Sequence, residues 1–171
     1  MVSQSAHAAR VADQIARLDQ TTGRFVARLA RAGDRGQPAA SGWTPAQIAE
    51  HVAMVNAAFA AMLDGSAPGA TPPAEGFVER PFEDIIRGAP PRLDAPARVV
   101  PPVTVTMPDA ADHLQSSTAK LRIAIGRLTP ERSTYCFTHR ALGTMTLAQV
   151  GDFAIAHMIR HNQQAKRTLG E

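Results

Sequence analysis

An all-α fold, a four-helix bundle with a long proline-rich crossover between its second and third helices, is predicted by three observations. Four stretches repeat apolar residues at three- and four-residue spacing, which marks one side of a helix as buried. Ten of the thirteen prolines (68, 72, 73, 81, 90, 91, 96, 101, 102 and 108) fall within residues 65–108, so that interval cannot be a continuous helix. Strands of consequence are missing from the pattern, and amphipathic helices joined by one long connection are the ingredients of a bundle.

The first helix is expected over residues 5–31, with Val11, Ile15, Leu18, Phe25, Val26 and Leu29 as its stripe and Arg10, Arg17, Arg24 and Arg31 off it. Gly23 weakens its middle by about 1 kcal/mol relative to alanine, and the helix is expected to stop near Ala32 and Gly33. The second helix has the clearest start: Thr44 as N-cap, Pro45 at the first helical position and Gln47 completing a capping box. Trp43 and Ile48 are placed for a hydrophobic staple. The stripe runs through Ile48, Val52, Val55, Phe59 and Met62, with His51 at its border, and Asp64 and Gly65 end the helix.

Within the crossover, residues 82–87 form a short helix between Pro81 and Gly88, and the remainder reads as an extended path over the surface. A linker between two domains is the alternative; the flanking helices lack enough partners for it, which favours one bundle and a single domain over residues 1–171. The third helix is expected over residues 109–128, with Leu114, Leu121, Ile125 and Leu128 buried and Pro130 beyond its end. The long connection lets helices two and three run in the same direction. Residues 134–146 suggest an extended segment with a tight turn at Gly143.

The fourth helix, residues 146–169, opens with a capping box of Thr146 and Gln149. Its apolar residues Leu147, Val150, Phe153 and Ala154 mark the buried side, and His157 and His161 continue the same stripe. One turn apart, with about 5–6 Å between their Cβ atoms, both imidazoles could converge on one ion at about 2.0–2.1 Å if it is zinc. The alternative for such a pair is solvent exposure or structural hydrogen bonding. Met158 follows His157 where the HExxH arrangement has glutamate, so that motif's built-in base is missing. A third ligand has to come from another helix, and His51 is the candidate; three histidines would leave an open position on the ion. The Glu-x-x-His motif of di-iron bundles does not occur.

Composition narrows the function. With 44% hydrophobic and 19% charged residues the chain fits a soluble globular protein. The lone Cys136 excludes an intramolecular disulfide and permits the cytoplasm. The N-terminus lacks an apolar core of signal-peptide length, and no run is read as approaching the roughly 20 residues that cross a bilayer, so a cytoplasmic location without membrane contact is expected. Net charge is +3, and the arginines are scattered without aromatic interleaving, which argues against nucleic-acid binding.

Residues 42–59 and 138–169 resemble the two signature regions of the DinB/YfiT-like superfamily. Members carry a Trp-Ser/Thr start to the second helix followed by a histidine, then a His-Pro-x-x-Gly turn leading to a fourth helix with His-x-x-x-His. The resemblance places the family's metal triad on His51, His157 and His161 and its turn histidine on His139. Arg140 stands where the family usually has proline. The resemblance implies a divalent metal ion, zinc or nickel, a small-molecule substrate, and metal-dependent hydrolysis or activation of a low-molecular-weight thiol for transfer or isomerisation. A non-catalytic metal-binding or stress-response module is the other reading, and a homodimer is expected.

The remaining reactive residues have ordinary explanations. His7 lies in a terminal segment expected to fray, His113 is one position off its stripe, and His139 could hydrogen-bond a carbonyl or support the metal site. Cys136 reads as a small buried hydrophobe. Arg140 and Arg160 flank the site in sequence, as recognisers of an anionic group or as solvated surface. Glu75, Glu79, Glu83 and Asp84 lie in the crossover and Glu50 points away from the face of His51, so no general base is identified.

Overall fold

The computed structural model describes residues 3–32, 42–90 and 93–171. Four long helices, α1 (Gln4–Ala32), α2 (Pro45–Asp64), α4 (Met107–Gly126) and α6 (Leu147–Thr168), form the bundle. Between them lie the short helices α3 (Phe82–Arg87) and α5 (Pro130–Ser133), one 3-10 turn (Ala97–Val99), and the strands β1 (Cys136–His139) and β2 (Gly143–Thr146). Helix α4 packs on both α1 and α2, and α6 packs on both α1 and α2, so α1 and α2 stand diagonally opposite in the ring. The expected all-α fold with its long crossover is what the chain adopts.

Threonine sets where most of these helices begin. Thr44, Thr106, Thr129 and Thr146 are each in extended conformation, and each side-chain oxygen accepts the backbone N–H three residues on. Both anticipated capping boxes are formed. The third long helix starts earlier than residue 109: Thr106 caps it and Pro108 sits inside its first turn, where an absent N–H costs nothing because that position has no partner. It also stops at Gly126, short of residue 128. Gly65 takes the left-handed conformation that ends α2, at φ +86°. The expected stop at Gly33, like Pro91 of the crossover, lies outside the described residues.

The core is assembled from Leu18, Phe25 and Leu29 of α1, Ile48, Val52 and Leu63 of α2, Leu114, Leu121 and Ile125 of α4, and Leu147, Val150, Ile155 and Met158 of α6. Fifteen of the twenty residues of α2 are buried, among them His51, Glu50 and Asn56. This corrects the reading that no run reaches membrane-spanning length: α2 does so, with a mean hydropathy of 1.2, but 67% of that window is buried inside the bundle. A helix covered on most sides is apolar all round for that reason.

The crossover and hairpin close over the bundle. Ile85 of α3 and Val99 of the 3-10 turn are buried anchors. Thr71 pairs with Cys136 through two backbone hydrogen bonds of 3.0 and 2.7 Å, which ties the crossover to β1. Strands β1 and β2 pair antiparallel with His139 opposite Gly143, whose φ of +79° allows the reversal. The Leu147 amide donates to the Tyr135 carbonyl at 2.7 Å, and Thr146 Oγ1 donates to Glu79 Oε2 at 2.9 Å while accepting the Gln149 amide. One threonine thus joins hairpin, crossover and α6. Thr146→Ala is expected to lower unfolding free energy by about 1–2 kcal/mol in urea titrations, whereas Thr146→Ser keeps the cap and loses much less; equal losses would remove capping as the cause.

Candidate metal centre

Helices α2 and α6 pack side by side, and their starts determine which side chains meet. The Thr44 capping box fixes α2 about two turns before His51, with Gln47 Oε1 accepting the Thr44 amide at 3.0 Å. Trp43, one residue before the cap, lays its ring 4.9 Å from the His51 ring, so it covers the histidine as well as the helix entry. On α6, the deepest line runs through Leu147, Ala154, Met158 and Ala165. His157 and His161 lie on the flank of that line and are partly exposed, a correction to their placement within the buried stripe. The flank faces α2, which brings them to His51.

The three histidines form one cluster. Ring centroids are 5.1 Å apart for His51 and His157, 4.8 Å for His51 and His161, and 4.4 Å for His157 and His161. One nitrogen from each ring lies within 4.8 Å of the others. Two of the rings are oriented from behind. The Val99 carbonyl accepts a hydrogen bond of 2.7 Å from His51 Nδ1–H, and Gln164 Oε1 accepts one of 2.8 Å from His161 Nδ1–H. A carbonyl can only accept, so His51 Nε2 is left as a bare lone pair pointing into the cluster.

His157 tests whether this arrangement suits an ion. Its Nε2 lies 3.2 Å from that lone pair of His51, and its Nδ1 is buried with no hydrogen-bond partner. A neutral imidazole carries one proton: on Nε2 it leaves a bare buried Nδ1, and on Nδ1 it leaves an unsatisfied donor and two opposed lone pairs. Either state leaves a buried polar atom unpaired, at a cost of about 1–3 kcal/mol. Two donors of a tetrahedral ion at about 2.0–2.1 Å stand roughly 3.3 Å apart, close to the separation found. The donor set fits a divalent metal ion.

The electrostatics point the same way. Burial, followed by the neighbouring His161 and His51, holds His157 well below the ordinary imidazole range. Burial, then His51, brings His161 down to about 3, although Gln164 opposes the shift. His51 is lowered by burial against the opposing Val99 hydrogen bond. Neutral imidazoles are what a metal ion requires, so protons compete weakly for these nitrogens.

Other sequence candidates are placed elsewhere. His7 is buried, and its Nε2–H donates to the Leu128 carbonyl at 2.7 Å, two residues beyond the end of α4, a contact that ties down the segment expected to fray. His113 Nδ1–H donates to the buried Glu50 at 2.8 Å. His139 neither donates to a carbonyl through Nδ1 nor joins the cluster: its Nδ1 accepts the Ala141 amide at 3.2 Å, and Phe153 stands between it and His157, 5.7 and 6.1 Å from the two rings. Burial raises the Cys136 thiol, consistent with a small hydrophobe. Of the crossover acids, Glu79 is bound to Thr146 and Arg10, and Asp84 to Arg87. The orienting groups Val99, Gln164 and Trp43 were not anticipated; only Gln164, three residues after His161 on the same helix, had a readable spacing.

Four depressed histidines, the three of the cluster and His139, tie stability to pH. Between about 3 and 6.5 an unfolded chain takes up a proton at His161 that the folded chain refuses, so this contribution is complete above 6.5 and is lost as pH falls. His113 behaves oppositely, because Glu50 raises it: its contribution is complete below 6.5 and is lost on the alkaline side, outside this window. Metal-free protein is expected to lose unfolding free energy progressively from about pH 6.5 to pH 5, by up to about 1.4 kcal/mol per pH unit for each such group, read as a falling Tm. His161→Asn should show a shallower slope in the same thermal scans, and identical slopes would contradict the neutral state of His161.

Comparison with known proteins agrees with the architecture. No curated protein and no solved structure matches the chain at a significant level. A family model described as the DinB superfamily matches residues 14–165, which takes in α2 and α4, most of α1 and α6, and the three clustered histidines. The chain belongs to the DinB superfamily.

Proposed function

We propose that this protein is a metal-dependent enzyme in which His51, His157 and His161 hold one divalent ion, zinc or nickel. The observation that carries the reading is the 3.2 Å approach of His157 Nε2 to the inward-facing His51 Nε2, in a cluster where each of the three rings offers one nitrogen within 4.8 Å of the others. Such an ion, when bound, supplies Lewis acidity that makes a thiol or water nucleophilic near neutral pH. The side chains do the rest. Val99 and Gln164 fix the rings of His51 and His161 so that lone pairs face inward. His51 is buried, and His157 and His161 are each partly exposed.

The reaction class favoured by this arrangement is thiol-dependent transfer or isomerisation, or hydrolysis, of a small molecule in the cytoplasm. In thiol chemistry the nucleophile loses its proton to solvent, and no protein base is needed. That suits a cluster in which no carboxylate joins the three histidines among the described residues. The same observation favours a second reading, a module that holds metal without catalysis.

Metal content of tag-free protein, measured by mass spectrometry, is expected to be about one equivalent per chain and to vanish in His157→Ala. Trp43 is the sole tryptophan and lies against His51, so its fluorescence should respond to nickel titration in the native chain and not in the variant. No metal in either chain after incubation with zinc, nickel or manganese would sink the proposal. Gln164→Leu leaves all three ligands in place and is expected to weaken metal affinity about 10–100-fold in the same titration. Unchanged affinity would show that the Gln164 hydrogen bond does not orient the site.

A further inference from the structure

We propose that the cleft between α1 and α6 is a second binding site, for a phosphorylated small molecule whose phosphate is gripped by Arg24 and Arg28. It is separate from the histidine cluster and needs no metal there. The cleft has a volume of about 560 Å³, and Arg17, Arg24, Arg28 and Arg31 of α1 line it together with Asn162 and Gln163 of α6. None of its lining residues is acidic or aromatic, and none is a clustered histidine. At about 100° of rotation per residue, Asn162 and Gln163 leave α6 on a different side from His157 and His161.

Spacing puts the four arginines on one face of α1. Positions 17, 24, 28 and 31 are seven, four and three residues apart, which stacks them on one side of a 3.6-residue repeat. Arg17 is committed to Asp13 and Asp152. Arg24 is exposed and makes no ion pair among the described residues. Arg24 and Arg28, one turn apart, repel each other, so this face opposes its own helix until an anion joins them.

Arg28 already holds an anionic group. Its Nε–H donates to Oδ1 of the buried Asn162 at 2.8 Å, which sets the plane of the guanidinium, and its Nη1–H donates to the carboxylate of Glu171, beyond the end of α6. The Glu171 side chain is 37% exposed, so a solute can reach and replace it. A phosphate group carries a charge of about −1.5 to −2 near neutral pH. That matches Arg24 and Arg28 together, whereas Glu171 neutralises only one of them. The planar fork of arginine meets phosphate oxygens in pairs.

Gly23 keeps the cleft open. A Cβ there would meet nothing within 4 Å, although alanine would be the better helix former. The volume is that of a small-molecule pocket and exceeds the needs of a phosphate alone. With no aromatic ring in the lining there is no platform on which a base could stack. The remainder of the ligand is therefore compact and non-aromatic.

Calorimetric titration of the full chain with glycerol 3-phosphate, inorganic phosphate and glycerol tests the site. Glycerol 3-phosphate is expected to bind at one equivalent and more tightly than inorganic phosphate, with glycerol silent. No binding of either phosphate, or equal binding of both as adventitious anions only, overturns the proposal. Arg24→Gln, with helix content unchanged by circular dichroism, is expected to weaken glycerol 3-phosphate about tenfold; unaltered affinity overturns the assignment of Arg24. Glu171→Gln removes the competing carboxylate and should tighten binding, and a variant that binds no better overturns the exchange at Arg28. Gly23→Leu preserves every charge but fills the cleft, so binding should be lost. Full affinity in that variant places the phosphate elsewhere and overturns the site, as does loss of binding in His157→Ala.

Discussion

Burial of α2 on nearly every side is the constraint from which the rest of the site follows. A helix packed against α4 and α6 still has an outer surface, and the crossover covers part of it. Covering brings Val99 over His51, and the desolvated histidine then needs a partner for each ring nitrogen. The Val99 carbonyl satisfies Nδ1. The other nitrogen is thereby committed as a lone pair, facing the two histidines of α6.

The crossover therefore has a larger part than that of a connection. Its prolines prevent it from folding into a helix of its own, and its buried points, Ile85 and Val99, hold it against the bundle. Pairing of Thr71 with Cys136 binds it to the hairpin, and the hairpin leads directly into the N-cap of α6. Both sides of the histidine cluster are thus braced by the same segment: His51 by a carbonyl, and the start of α6 through Glu79 and Thr146. Rigid support of this kind is what separates an oriented donor set from three histidines that happen to be close.

Much of this was legible in the sequence because it depends on local rules. The Thr44 and Thr146 capping boxes, the Pro81–Gly88 boundaries of α3 and the i, i+4 spacing of His157 and His161 each involve residues a few positions apart. What escaped depends on contacts between distant residues. The Val99 carbonyl is a group that every residue carries, and nothing in its side chain marks it for His51, forty-eight positions away. His7 reads as part of a fraying end because nothing local marks its partner, the Leu128 carbonyl, 121 positions on. Pro108 was counted with the crossover because its neighbours in composition were prolines; Thr106 decides the matter by capping from two residues upstream.

The spacing of the cluster along the chain also bears on synthesis. His51 and the carbonyl that orients it are made well before His157 and His161. A nascent chain that has reached Val99 offers a divalent ion one oriented imidazole, too few donors to retain it. If the cluster holds an ion, capture would have to wait until α6 has left the ribosome and docked between α1 and α2. Loading would then fall to a bundle already closed, and an incomplete chain would be spared from being locked by an ion in the wrong arrangement.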